Sequence, residues 1–229
     1  MQWYWLAEYL PKFIEGIIVT LQLLGLSIVI GMTLAIPIGL VQVTGPRWLA
    51  VLARMFCTAI RGTPLLIQLW LLYYGLGALF PLVPEIRQSF LWPILRDAFP
   101  YAVLAFALSV AAYEGEVMRG AFKSVPKGEL EAARAFGMKR FTILRRIWLP
   151  RALQNVLPTL AGEFVLTLKA TPLAATITVF DVYGIGTVVR QETYRVYEPL
   201  LFVAGIYLCL TAVIVVLFRW LEGRVPRPA

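Results

Sequence analysis

The chain has 229 residues, 60% of them hydrophobic and only 15% charged, with a mean hydropathy of +0.77. A soluble domain averages about 45–50% apolar and about 25% charged residues, so this balance excludes a soluble globular fold and a disordered chain. A formal net charge of +8 would suggest nucleic acid in a soluble protein, and the absence of histidine removes His-based general-base, triad and zinc chemistry.

The chain opens on Gln2, Trp3, Tyr4 and Trp5. This is not the basic start of a signal peptide, and no small-residue cleavage site follows the apolar run. Residues 1–15 read as an interfacial aromatic anchor, because Trp and Tyr favour the headgroup level. Residues 16–46, 62–84 and 199–218 are uncharged for 31, 23 and 20 positions. About 20 residues cross a hydrocarbon core of about 30 Å, so each run is long enough to span. Residues 98–113 supply only 16, which predicts a third span whose lower end carries Glu114 and Glu116 into the headgroups. Residues 152–170 form a fourth, interrupted by Glu163 and Lys169. The expectation is an all-α integral membrane protein with five transmembrane helices in a single domain over 1–229. Cys57 and Cys209 lie in apolar or membrane-proximal stretches without metal-ligand spacing and read as inert thiols.

The positive charges are unevenly placed. Segment 44–61 holds Arg47, Arg54 and Arg61 and no acid. Segment 119–151 holds nine basic residues against Glu129 and Glu131, and the tail adds Arg219, Arg224 and Arg227. These regions carry 15 of the 21 positives and fall on one side when five spans start from an outside N-terminus. The positive-inside rule puts that side in the cytoplasm. Topology therefore explains the charge, and no nucleic acid partner is needed.

Residues 123–151 are the longest polar stretch. Pro126 suits a first helical position, Glu129 and Glu131 complement the helix dipole, and Gly137 is a natural stop. Ala132, Ala133, Ala135 and Phe136 offer a small-residue surface for close approach. A second short helix is predicted over 139–148, with Phe141, Leu144 and Trp148 on one face and Pro150 ending it. Two short helices joined at a glycine make a docking element for a cytoplasmic partner; the alternative is a basic loop resting on anionic lipid.

Glu163 falls near the middle of the fourth span. A carboxylate at that depth costs about 2.5–3.5 kcal/mol and should face a cavity or a partner charge. Thr167 shares its helical face, whereas Lys169 lies about 120° away. Thr171-Pro172 predicts a break at the end of the span. Two readings stand: Glu163 meets the ammonium or guanidinium of a passing amino acid, or it forms a buried inter-subunit salt bridge. Gln68 is a second polar candidate for lining the path. Glu116 and Arg119 read as an interfacial ion pair, and Arg61 as a cap or lipid contact. Asp181, Arg190, Glu192, Arg195 and Glu198 form an outer charged segment that either meets a soluble receptor or is simply solvated.

Several fixed spacings resemble a known family. Glu131-Ala132-Ala133, then Gly137, then Ile147-Trp148-Leu149-Pro150 is similar to the EAA loop of ABC importer membrane subunits. Residues Arg61-Gly62-Thr63-Pro64 through Gln68 resemble the second-span entry of polar amino acid permeases. So does Ala112-Tyr113-x-x-Glu116-x-x-Arg119-Gly120 with Ser124-Val125-Pro126-x-Gly128, and so do Leu157-Pro158 and Glu163-Phe164. The resemblance covers roughly 16–220 and runs closest to the histidine, arginine and opine permeases. It implies a type I ABC importer permease fold, with Glu131, Ala132, Ala133 and Gly137 in a coupling helix that meets the ATPase. It implies Glu163 as a substrate contact, with Thr167, Gln68, Thr171 and Leu173 as further candidates. Where relatives carry a serine-rich stretch, this chain has Ala170-Thr171-Pro172-Leu173-Ala174.

The implied function is the permease subunit of an ATP-driven importer for polar, notably basic, amino acids or opines in the bacterial inner membrane. Its partners would be ATP-binding cassette subunits, a second similar permease subunit and a soluble substrate-binding protein. There is no G-x-x-x-x-G-K-[ST] in the chain, so ATP is expected in the partner and no cofactor in this chain. An ion-gradient-driven secondary transporter is the rival reading, but it leaves the Glu131–Pro150 spacing unexplained. A membrane-embedded enzyme has no nucleophile or metal cluster to support it.

Overall fold

The computed structural model describes residues 5–224, so Gln2, Trp3, Tyr4 and Arg227 lie outside the described residues. Eight main helices follow in order: α1 Trp5–Thr44, α2 Arg47–Arg61, α3 Leu65–Leu82, α4 Ala98–Ser124, α5 Lys127–Ala135, α6 Arg140–Ile177, α7 Val182–Thr193 and α8 Tyr197–Arg224. Single helical turns at Pro84–Arg87 and Trp92–Leu95 join α3 to α4. Among the described residues, five helices (α1, α3, α4, α6 and α8) are long and apolar enough to cross a membrane. The residues pack into two compact units. The first takes residues up to Val29, Thr63–Ala107 and Val165–Val213; the second takes Ile30–Gly62, Leu108–Phe164 and residues from Ile214 on.

In the first unit, residues 5–15 of the expected aromatic anchor are helical and continuous with the first span in α1. Trp5, Tyr9 and Phe13 repeat at helical spacing and are buried against Val182, Ile185 and Val189 of α7 and Val203 of α8. Phe13 meets Phe202 edge-on with centroids 4.9 Å apart. A Cβ at Gly16 would come within 3.1 Å of the Asp181 carbonyl oxygen, so α1 and the start of α7 touch almost backbone to backbone. The missing side chain is what permits that approach. A second cluster joins Leu23, Leu69, the alanine stripe Ala98, Ala102 and Ala105 of α4, and Ala174 and Ile177 of α6.

The second unit contains α2 and α5 and one cluster built on Met118, Phe122, Ala152, Val156 and Phe218. A Cβ on Gly39 would stand 2.7 Å from Met118 Cβ, and one on Gly115 would stand 2.8 Å from Ile38 Cγ2. These two glycines let α1 and α4 cross at close range, the small-residue packing on which membrane helices rely. Segment 44–61, counted from sequence only as a charged connection, contains the amphipathic helix α2, with Ala50 and Cys57 buried and Trp48, Leu52 and Met55 exposed.

Three expectations change here. The third span is 27 residues long, and Glu114, placed in the headgroups by the 16-residue count, is buried with 2% exposure. Pro126 is the cap of α5 rather than its first residue. Pro150 does not end a helix, because α6 runs through it from Arg140. Proline removes one N–H and crowds the preceding turn. The helix absorbs this with a π-helical turn over Leu144–Trp148, in which Leu149 N–H donates to Leu144 C=O, five residues back.

Candidate functional site

Two regions of the second unit carry chemistry, a polar surface on α5 and a carboxylate pair on α4 and α6. Helix α5 begins at the Pro126 cap and ends in a Schellman motif. There Gly137 N–H donates to Arg134 C=O at 2.9 Å and Met138 N–H to Ala133 C=O at 3.1 Å. Gly137 has φ +75, a conformation glycine adopts without strain. Glu131 and Ala132 are exposed, as a docking role requires, whereas Ala133 packs inward with Leu130. Phe136 and Phe141 are 89% and 71% exposed. Phe141 therefore leaves the face predicted for it; Ile143, Leu144 and Trp148 fill the interior instead. A cavity of about 720 Å³ opens beside α5, lined among others by Leu130, Arg134, Arg140 and Phe141.

Two side-chain contacts fasten this surface to the spans. Arg151 grips Glu129 with both ends of its guanidinium fork, Nε to Oε2 at 3.1 Å and a terminal nitrogen to Oε1 at 3.0 Å. Trp148 Nε1 donates to Phe122 C=O at 2.8 Å. The sequence reading assigned neither contact, since Arg151 and Glu129 are separated by a turn whose path the spacing does not give.

Glu163 lies half-buried on α6, with Thr167 one turn further along the same helix and Lys169 exposed. Its charge acts on Glu114 of α4. Glu114 extends a stripe of buried positions at Val110, Ala111, Met118 and Ala121, and that helical spacing was the available signal that it faces inward. Further along, Arg119 pairs with Glu116 at 2.8 Å, and Arg61 lies over the Tyr113 ring at 5.2 Å.

The remaining candidates belong to the first unit. Gln68 Nε2 donates to Thr63 C=O at 3.0 Å and Thr63 Oγ1 at 2.8 Å, bracing the break at Pro64. The helical part of α6 does break at Thr171, giving way to a 3₁₀ turn over Thr171–Ile177 that closes with Thr178 at φ 68. Thr171 is fully buried. Its hydroxyl donates to Leu168 C=O at 2.9 Å and lies 3.0 Å from Tyr207 Oη. Leu173 packs against the alanine-rich cluster. Asp181, read from sequence as outer surface charge, is also fully buried. It caps α7 by accepting from Gly184 N–H at 2.8 Å, and accepts from Tyr207 Oη at 2.9 Å. Burial pushes its carboxyl up from 3.8 to about 6, against those hydrogen bonds, which pull it down. An aspartate directly before an apolar helix was a legible cap signal.

Residues 17–227 match the family described as binding-protein-dependent transport system inner membrane component. Among curated proteins, the chain is 43% identical over 209 residues to the octopine transport system permease protein OccM of Rhizobium radiobacter, covering 91% of this chain and 84% of that one. It is 38% identical over 211 residues to the histidine/lysine/arginine/ornithine transport system permease protein HisM of Escherichia coli K12, covering 91% and 87%. Among solved structures, it superposes with a TM-score of 0.81 and 31% identity on a chain of an amino acid ABC transporter crystallised with histidines, covering 98% of this chain and 99% of that one.

Proposed function

Because the chain belongs to the family of binding-protein-dependent transport system inner membrane components, we propose that it is the permease subunit of an importer for basic amino acids or opines. The observation that carries the substrate class is the 43% identity to an octopine permease, joined to a carboxylate, Glu163, within a spanning helix. In this reading Glu163 receives the guanidinium or ammonium of the substrate. ATP is hydrolysed by separate subunits that dock on the exposed face of α5, through Glu131, Ala132 and the Gly137 turn. A second, similar permease completes the pathway, since five spans enclose one poorly, and a soluble binding protein delivers the substrate. The chain acts as one permease domain over 1–229, with its N-terminus periplasmic and the basic segments in the cytoplasm. Transport proceeds by alternating access, in which closure of the ATPases moves α5 and biases the bundle between its two openings.

The test is ATP hydrolysis by the reconstituted complex across a panel of amino acids. Stimulation by a basic amino acid in the wild type, lost in Glu163→Gln with basal hydrolysis intact, is the expected result. An unchanged response in the variant overturns the role of Glu163. Uptake that ignores ATP but follows an ion gradient overturns the importer mechanism.

A further inference from the structure

Glu114 is 2% exposed, and its Oε2 is enclosed without a hydrogen-bond partner among the described residues. Buried polar atoms are nearly always satisfied by a partner, and a carboxyl inside a span is costly and is retained where it works. Arg119, five residues on along α4, pairs with Glu116, and Arg61 of α2 lies over the Tyr113 ring. The charge that acts on Glu114 is a like one, Glu163.

The register of α4 against α6 brings these two acids to one level. Asn155 Nδ2 donates to Ser124 Oγ at 3.0 Å. From that link Glu114 lies ten residues back along α4 and Glu163 eight residues forward along α6. At about 1.5 Å per residue these are rises of about 15 and 12 Å in the same direction. Glu114 stands one turn from Met118, and Glu163 three residues from Leu160, and both Met118 and Leu160 belong to the same buried cluster. Two carboxyl groups at one level of a span form a place that a cation stabilises. A guanidinium presents five N–H donors on a planar fork and an ammonium presents three, so either can satisfy two carboxylates at once.

We propose that Glu114 is the second carboxylate of the substrate site, clasping with Glu163 the cationic group of the transported amino acid and setting its preference over uncharged isosteres. This rests on the reading of Glu163 as a substrate contact. The test is equilibrium binding of radiolabelled arginine to the purified permease–ATPase complex without the soluble receptor, with unlabelled citrulline, which keeps the shape and loses the charge, as competitor. The wild type binds arginine in preference to citrulline. In Glu114→Gln, arginine binding weakens about tenfold to a hundredfold, the loss of one charged hydrogen-bond partner, while citrulline binding holds and the melting temperature stays level or rises.

A Glu114→Gln complex that binds arginine like the wild type, while Glu163→Gln does not, overturns this inference and leaves the Glu163 reading standing. Arginine binding unchanged in both variants, or absent from the wild type, overturns both. Loss in Glu114→Gln with Glu163→Gln unchanged overturns the Glu163 reading and the pair with it. A Glu114→Gln complex that melts lower and loses arginine and citrulline alike makes the residue structural and overturns the inference.

Discussion

Asp181 and Glu114 are both buried acids, but they differ in what surrounds them. Asp181 accepts a helix N–H and a tyrosine hydroxyl and belongs to a network that runs through Tyr207 to Thr171. Thr20 Oγ1 accepts from the neighbouring Val182 N–H at 3.1 Å. With its carboxyl raised to about 6 against an ordinary 3.8, the folded protein holds the proton more tightly than the unfolded chain does. That contribution to stability is full below about pH 3.8 and is lost as pH rises through about 6. Wild type should therefore be less stable at pH 8 than at pH 5 on account of this residue, by about 1 kcal/mol, because much of the full contribution is already lost by pH 5. Asp181→Asn, which still caps a helix, should flatten that dependence in a thermal scan across the same range. An unchanged slope would show that other groups set it. At this scale the sequence was partly legible. Glu163 declared itself by its place in an apolar run. Glu114 did not, because counting uncharged residues marks where charge begins and says nothing of which way a helix turns it.

The elements around α5 are held by few contacts, so single changes there should separate stability from coupling. The Arg151–Glu129 fork is partly exposed and contributes about 1 kcal/mol at most to folding. It nevertheless fixes the short helix α5 to α6 at two points. Arg151→Ala should leave the melting temperature within a few degrees while uncoupling ATP hydrolysis from transport. Arg151→Lys should restore little, since a single ammonium cannot reproduce a bidentate grip. A wild-type ratio of substrate moved to ATP consumed in Arg151→Ala would remove the clamp from the mechanism. The spans, the helix–glycine–helix unit and the broken end of the fourth span could all be read from charge spacing, Gly137 and Thr171-Pro172. The continuity of α6 through Pro150 could not. The π-helical turn that accommodates this proline leaves no mark in the periodicity.

Across the whole molecule, large apolar side chains point outward: Leu71, Leu208, Val213 and Val216 are all exposed. In lipid these side chains meet acyl chains, and apolar burial gives no drive for helices to associate. Close approach has to do that work, and glycines permit it in each unit: Gly16 and Gly186 in the first, Gly39 and Gly115 in the second. Gly39→Val would drive a branched side chain into Met118 Cβ and the Arg119 backbone nitrogen, 2.7 and 2.8 Å from even a lone Cβ. The expected cost is about 1–3 kcal/mol, measured as a fall of several degrees in the melting temperature of the detergent-solubilised complex. Gly120→Ala, where open space surrounds the position, should change little. Equal effects of the two substitutions would mean that this crossing is loose. Composition alone identified a membrane protein, but which glycines carry contacts depends on helix pairing that one sequence does not reveal.

The π-helical turn at Leu144–Trp148 amounts to one residue too many for an α-helix. It works as slack in the chain. The widened turn holds one residue more than an α-helical turn does, so losing one residue there would let the helix close to α geometry while Phe141 and α5 keep their heading. The same loss elsewhere in the regular part of α6 would swing everything before it by about 100° relative to the rest. This five-residue stretch is therefore the place where a one-residue deletion does the least harm.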